Sequence, residues 1–238
     1  MDISLVIPAH NEEGFIGPCL DSVLKNAPGK FKQIIVVDNT STDGTAKEAG
    51  ARPGVRVVYE PNKGLTHARQ KGLEESSGEF LAFIDADERM PEGWFEKAEY
   101  YFSKYPEAVV LSGPVRYYDS GFFAKWLIII GPWILYPLAF LIGGHWVLGG
   151  NFIVRRSALL AIGGFDTSVT FYGEDANLGR RLAKVGRSIF KMDFTVYTSA
   201  RRLKAEGTIR LHTRYILSFL TQSILHRSHT SKYTDVRT

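Results

Sequence analysis

Apolar and polar positions along the chain change period repeatedly over its first hundred residues. Ile3–Ile7, Gln33–Asp38, Val55–Tyr59 and Phe80–Ile84 are short apolar runs of strand length. Between them, apolar residues recur every three or four positions, as on the face of Phe15–Lys25 formed by Phe15, Ile16, Cys19, Leu20, Val23 and Leu24. Ser41-Thr42-Asp43 offers caps for a helix over Thr45–Ala49. A further helix over Leu65–Glu75 ends before Gly78, and Pro91–Tyr105 starts with proline near its first turn. Strand and helix alternating at this spacing predict βαβ units and a mostly parallel sheet, the α/β class.

Three predicted strands end in polar loops: Pro8–Glu13, Asp38–Gly44 and Asp85–Arg89. Loops at the carboxyl edge of a parallel sheet are where such folds hold ligands. A dinucleotide dehydrogenase would need G-x-G-x-x-G after the first strand. Pro8-Ala9-His10-Asn11-Glu12-Glu13-Gly14 stands there and excludes it. Asp85-Ala86-Asp87 is the sharpest feature of the edge. Acids at i and i+2 of an extended segment point the same way, and a divalent cation relieves their repulsion. A solvated acidic turn fits the same three residues. Asp38 is placed to accept hydrogen bonds from a nucleotide, or to close an Asx-turn with Asn39. Lys63 and Arg69 flank the start of the Leu65 helix, where they would meet phosphate oxygens or form a solvated basic face.

Composition narrows the picture. A chain of 238 residues can build a large core, and its single cysteine, Cys19, leaves no disulfide. Met1-Asp2-Ile3 runs straight into a strand with no signal-like segment, so the cytoplasm is the expected compartment. Net charge is +4, but residues from Arg201 onward carry eight Lys/Arg against Glu206 and Asp235, leaving −2 for the rest. Such a tail suits an anionic membrane or nucleic acid.

Six ordered blocks resemble the family 2 glycosyltransferases: Val6–Glu13, Val36–Thr45, Asn62–Gly64 through Asp85-Ala86-Asp87, Gly149–Arg156, Gly163-Gly164-Phe165-Asp166 and Gly173-Glu174-Asp175. The resemblance covers roughly residues 3–200. It implies a GT-A fold, with a nucleotide-sugar half over 1–110 and an acceptor half over 111–200. By the same resemblance Pro8, Ala9, Asn11, Glu12, Asp38, Lys63, Arg69, Asp85, Ala86 and Asp87 line the donor site. Asp38 would contact the base, Asp85 the ribose or metal, and Asp87 a Mg²⁺ or Mn²⁺ on the diphosphate of a UDP-sugar. Asp175, at the start of a helix over Asp175–Lys184, would be the general base. An aspartate there also serves as an ordinary helix cap. Thr40 stands where the family often has glycine and Gln70 where it often has asparagine. The Gln-x-x-Arg-Trp motif of processive members is missing. One inverting transfer is therefore expected. A nucleotidyltransferase and a non-catalytic membrane-associated nucleotide-sugar-binding protein are the alternatives.

From Trp126 to Val154 there is no charged residue. A single membrane crossing within 122–148 would part Asp87 from Asp175, so the expectation is a hydrophobic helical insertion lying on a membrane or against a second subunit of a homodimer. The segment 201–238 reads as a basic amphipathic helix, with Ile209, Leu211, Tyr215, Ile216, Phe219 and Leu220 interleaved with Arg210 and Arg214. No nucleic-acid motif accompanies its charge. Together these suggest a peripheral protein of the cytoplasmic membrane face with a lipid or lipid-linked acceptor.

Overall fold

A computed structural model describes residues 1–120, 147–169 and 172–222. The apolar segment 122–148 thus lies outside the described residues except for Val147 and Leu148, as does the tail after Gln222. The chain alternates β1 (Ile3–Ala9), α1 (Ile16–Asn26), β2 (Gln33–Asp38), α2 (Thr45–Gly50), β3 (Val55–Tyr59), α3 (Leu65–Glu75), β4 (Phe80–Ile84) and α4 (Trp94–Lys104). Then follow β5 (Ala108–Ser112), β6 (Val115–Tyr117), β7 (Asn151–Arg155), α5 (Arg156–Ala161), α6 (Glu174–Leu182), β8 (Arg187–Phe190), β9 (Val196–Thr198), α7 (Arg201–Glu206) and α8 (Thr208–Leu220).

Seven strands form one sheet in the order β3-β2-β1-β4-β7-β5-β8, and β6 pairs with β9 in a second, two-stranded sheet. β1 to β4 are mutually parallel, while β7 runs antiparallel to both β4 and β5. The central strands β1, β4, β5 and β7 are buried on both faces, which explains their unbroken apolar runs. Ile3, Leu5 and Ile7 of β1, with Phe80, Ala82 and Ile84 of β4, pack under α1 and α4. Val6, Leu81 and Phe83 face the other way, toward α3, α5 and α6. Each such side chain taken from water contributes roughly 1.5–3 kcal/mol.

β1 runs two residues beyond its expected end at Ile7, because its pairing with β2 continues to Ala9↔Asp38. Pro8 is tolerated there because the β1–β4 ladder has already stopped at Val6↔Phe83. The extension carries Pro8 and Ala9 to the edge where β2 and β4 also end. In β7, register places Asn151 opposite Ile84, the last residue before Asp85. β7 therefore joins the sheet directly beside the acidic loop.

Candidate active site

The loops after β1 and β2 hold each other. Asn11 N–H donates to Ser41 Oγ, and Asn11 Oδ1 accepts Thr42 N–H at 2.9 Å. Glu12 N–H donates to Thr45 Oγ1 at 2.7 Å, and Glu13 accepts from Gly44 N–H. Asn11 and Thr40 both adopt left-handed backbone, at φ 51° and 62°. At position 40, where the resemblance implied glycine, the backbone is left-handed despite a β-branched side chain, whose hydroxyl donates to Asn39 O at 2.6 Å. Asn39 ties in the third loop: its Nδ2 reaches Glu60 O and Asn62 O, and its Oδ1 accepts Gly64 N–H at 2.7 Å. Beside it Asp38 is buried, and its Oδ1 has no hydrogen-bond partner among the described residues. An orphaned buried acceptor suits a ligand donor such as a base N–H. Lys63 lies exposed on the loop that Asn39 anchors.

After β4 the alternation continues for one more step. Ala86 turns into the core, while Asp85 and Asp87 point out at the edge. Glu88, which the sequence reading passed over, folds back beneath them. It is buried, and its Oε2 accepts Asp85 N–H at 2.9 Å. Burial, and then the Asp85 charge, push its carboxyl well above the usual range. A side chain at Gly150 would collide with this cluster, since its Cβ would sit 2.4 Å from Glu88 Oε1 and 3.2 Å from Asp85 Oδ2.

Arg69, expected to meet phosphate or to lie on a solvated basic face, is buried among protein groups. Its side chain is 1% exposed. Nη2 donates to Gly149 O at 2.6 Å and lies 3.5 Å from Asp85 Oδ1, while Nη1 lies 2.7 Å from Glu174 Oε2. One guanidinium thus joins the β4 acids to the start of α6. A buried arginine on α3 carries no local signal, because two of its partners, Gly149 and Glu174, lie 80 and more residues away in sequence. Glu174, also buried, has its carboxyl raised to about 7 by burial, with Arg69 opposing. Next to it, burial raises Asp175, while Ala176 N–H donates to Asp175 Oδ1 at 2.8 Å and pulls the other way. Gly173, left-handed at φ 85°, makes the bend that starts α6.

Gln70 closes the same region, its Oε1 accepting Phe165 N–H at 3.0 Å. Asn151 is a second buried hub missed in sequence. Its Oδ1 accepts Trp94 Nε1–H, and its Nδ2 donates to Phe194 O at 2.7 Å.

Residues after 200 enter the site. Arg201 pairs with Glu12 and Asp87, at 2.6 and 2.9 Å. Arg202 and Arg214 pair with Glu206, and Lys204 with Asp119. Four of the five tail cations among the described residues therefore face protein carboxylates. Leu211 of α8 is buried with Ala200 and Leu203. Among the described residues no helix is long and apolar enough to cross a membrane.

Among the described residues no three His, Cys, Asp or Glu side chains form a metal cluster by themselves. The β4 pair still fits Mg²⁺ or Mn²⁺. A hard ion on a diphosphate needs one or two carboxylates, with phosphate oxygens and water completing its shell. Asp87 already holds a positive group in Arg201.

The strand order, the edge loops and the acid pair define the GT-A class of fold. The mannosyltransferase PcManGT from Pyrobaculum calidifontis, in complex with GDP-Man and Mn²⁺, superposes with TM-score 0.64 at 22% identity, over 90% of this chain and 64% of that one. Glucosyl-3-phosphoglycerate synthase from Mycobacterium tuberculosis, in complex with Mn²⁺, UDP-Glc and phosphoglyceric acid, gives TM-score 0.66 at 21% identity, over 98% and 87%. The Glycosyl transferase family 2 model matches residues 4–163, and the chain belongs to that family. Glycosyltransferase AglE of Haloferax volcanii is 37% identical over 101 residues, covering 40% of this chain and 33% of that protein. The chain spans about a third of the length of the curated relatives it matches.

Proposed function

We propose that the chain transfers one sugar, with inversion, from a nucleotide-sugar donor to a lipid or lipid-linked acceptor at the cytoplasmic membrane face. The observation that supports this reading is the buried Arg69 bridge, which joins Asp85 after β4 to Glu174 at the start of α6. Relatives of the same fold take GDP-Man or UDP-Glc with Mn²⁺, and a UDP-sugar is the donor assigned here.

Asp38 receives the base through its orphaned oxygen, and Lys63 lies toward the phosphates. Asp85 and Asp87 would hold Mg²⁺ or Mn²⁺, which when bound supplies a Lewis acid that stabilises charge on the leaving diphosphate. Asp175 takes the proton of the acceptor hydroxyl as it attacks the anomeric carbon. Its raised basicity favours that step, and the α6 N-terminus together with Ala176 N–H stabilises the carboxylate that must be present beforehand. A single displacement with one base inverts the centre. The apolar segment 122–148 and the basic tail provide the membrane contact of this reading.

The test incubates the full chain with Mn²⁺, labelled UDP-sugars and a membrane lipid extract. Label should move into the organic phase with the opposite anomeric configuration. Asp175→Asn should cut transfer by roughly 10²–10⁴-fold while leaving thermal stabilisation by donor and Mn²⁺ intact. Asp87→Asn should lose both. Transfer at the wild-type rate in either variant would refute the assignment, and release of diphosphate from a nucleoside triphosphate would make the protein a nucleotidyltransferase.

A further inference from the structure

Arg201 puts a positive charge where the reaction is expected to put a metal. Its Nε donates to Asp87 Oδ2 at 2.9 Å and its Nη2 to Glu12 Oε1 at 2.6 Å. The guanidinium also lies over the Phe15 ring, 4.4 Å from the centroid. The side chains of Glu12 and Asp87 are only 4% and 14% exposed. Two recessed carboxylates from different loops repel each other unless a cation stands between them, and an unpaired buried charge is costly.

We propose that Arg201 is the resting counter-ion of the cation site: it holds Asp87 until a divalent ion arrives with the donor diphosphate and displaces it. The inference rests on reading Asp87 as a metal ligand. A divalent ion and a guanidinium at contact distance on one carboxylate repel strongly in a poorly solvated cleft. The exchange needs only a side-chain rotation, because the backbone there is pinned. Ala200 N–H donates to Asp119 Oδ1 at 2.6 Å and Arg201 N–H to Ser199 Oγ at 3.2 Å. Arg201 can release Asp87 and keep Glu12, so neither acid is left without a cation. Arg202 and Lys204, the adjacent basic residues, pair with Glu206 and Asp119. The ion alone therefore meets an internal competitor, and a donor carrying negative charge helps it to win.

The experiment titrates the full chain with Mn²⁺ alone and follows loss of the free-ion paramagnetic resonance signal. Arg201→Gln should bind Mn²⁺ about tenfold more tightly than the wild type, within the usual range of coupling between sites. Arg202→Gln, an equal change of net charge one residue away, should stay within about twofold of the wild type. If Arg201→Gln melts too low to titrate, Glu12→Gln/Arg201→Gln removes the uncompensated acid and carries the same expectation. Unchanged or weaker Mn²⁺ binding in the Arg201 variants, or equal tightening in Arg202→Gln, overturns the counter-ion role. Asp87→Asn separates the two levels. If it binds Mn²⁺ like the wild type, the metal-site reading itself fails. If it loses binding while the Arg201 variants match the wild type, only the counter-ion fails.

Discussion

The acids at the end of β4 and those at the start of α6 share one arginine but sit in different media. Asp85 is 42% exposed on its side chain, and Asp87 already faces the Arg201 guanidinium. Glu174 is sealed in, and burial raises both it and Asp175 toward the protonated form. Asp87 of the first pair faces a cation, while both members of the second are shifted toward holding a proton. Environments that separate like groups in this way mark a division of labour between carboxylates. Arg69 is the point at which the two regimes meet, so removing it is the strongest way to break the comparison. In Arg69→Met, Glu174 keeps its burial and loses its counter-charge, which should cost roughly 3–5 kcal/mol in denaturant unfolding at pH 8. Asp85 should suffer less, because water screens it. At pH 5 the loss should shrink, since Glu174 escapes by taking a proton. Adding Glu174→Gln should recover part of the stability. A variant as stable as the wild type at pH 8 would show that the bridge holds nothing.

The proton-holding side can be tested separately. Glu174 ionises at about 7 in the folded chain against 4.5 ordinarily. Between those two values the folded chain keeps a proton that the unfolded chain has released, so stability falls as pH rises and levels off above the folded value. The loss is on the order of 3 kcal/mol across the window. Glu174→Gln cannot ionise and escapes it, while an arginine left beside an amide adds an offset that does not vary with pH. Unfolding free energies of the two proteins, compared from pH 4.5 to 7.5, should therefore diverge in favour of the variant. Glu88 titrates in both and cancels from the difference. Parallel curves would mean that Glu174 is ionised like an ordinary surface carboxylate.

The same contrast separates what could be read in the sequence from what could not. Asp85 and Asp87 stand out because a short apolar strand precedes them and the i, i+2 spacing is local. β2, β3, α3 and β4 lie where the residue pattern put them, and β4, buried on both faces, leaves an unbroken apolar run. Arg69 and Arg201 act through burial and through partners brought in by the sheet order, and Glu88 through burial beneath Asp85. For Arg201 those partners are 114 and 189 residues away. Its place in a run of basic residues suggested a membrane-facing charge, whereas its guanidinium is bound inside the cleft. The antiparallel insertion of β7 beside β4 was equally hidden, because Gly149–Arg156 carries no mark of strand direction.

The smallest expected effect lies in the donor-side loops, whose scaffold should prove tolerant where the carboxylates are not. Thr40 holds φ at 62°, which costs a residue with a side chain roughly 1–2 kcal/mol. Thr40→Gly relieves that cost and gives up two things. Glycine loses about 0.5–1 kcal/mol more backbone entropy on folding. The bond from Oγ1 to Asn39 O also disappears, and such bonds contribute about 1 kcal/mol net. The terms nearly cancel, so unfolding free energy should change by less than about 1 kcal/mol in either direction. Stabilisation by a UDP-sugar with Mn²⁺ should persist, because Asn39 still holds Gly64 and the loop keeps its bend. A loss of several kcal/mol, or of donor stabilisation alone, would show that the threonine hydroxyl fixes the loop, and would move position 40 from scaffold to site.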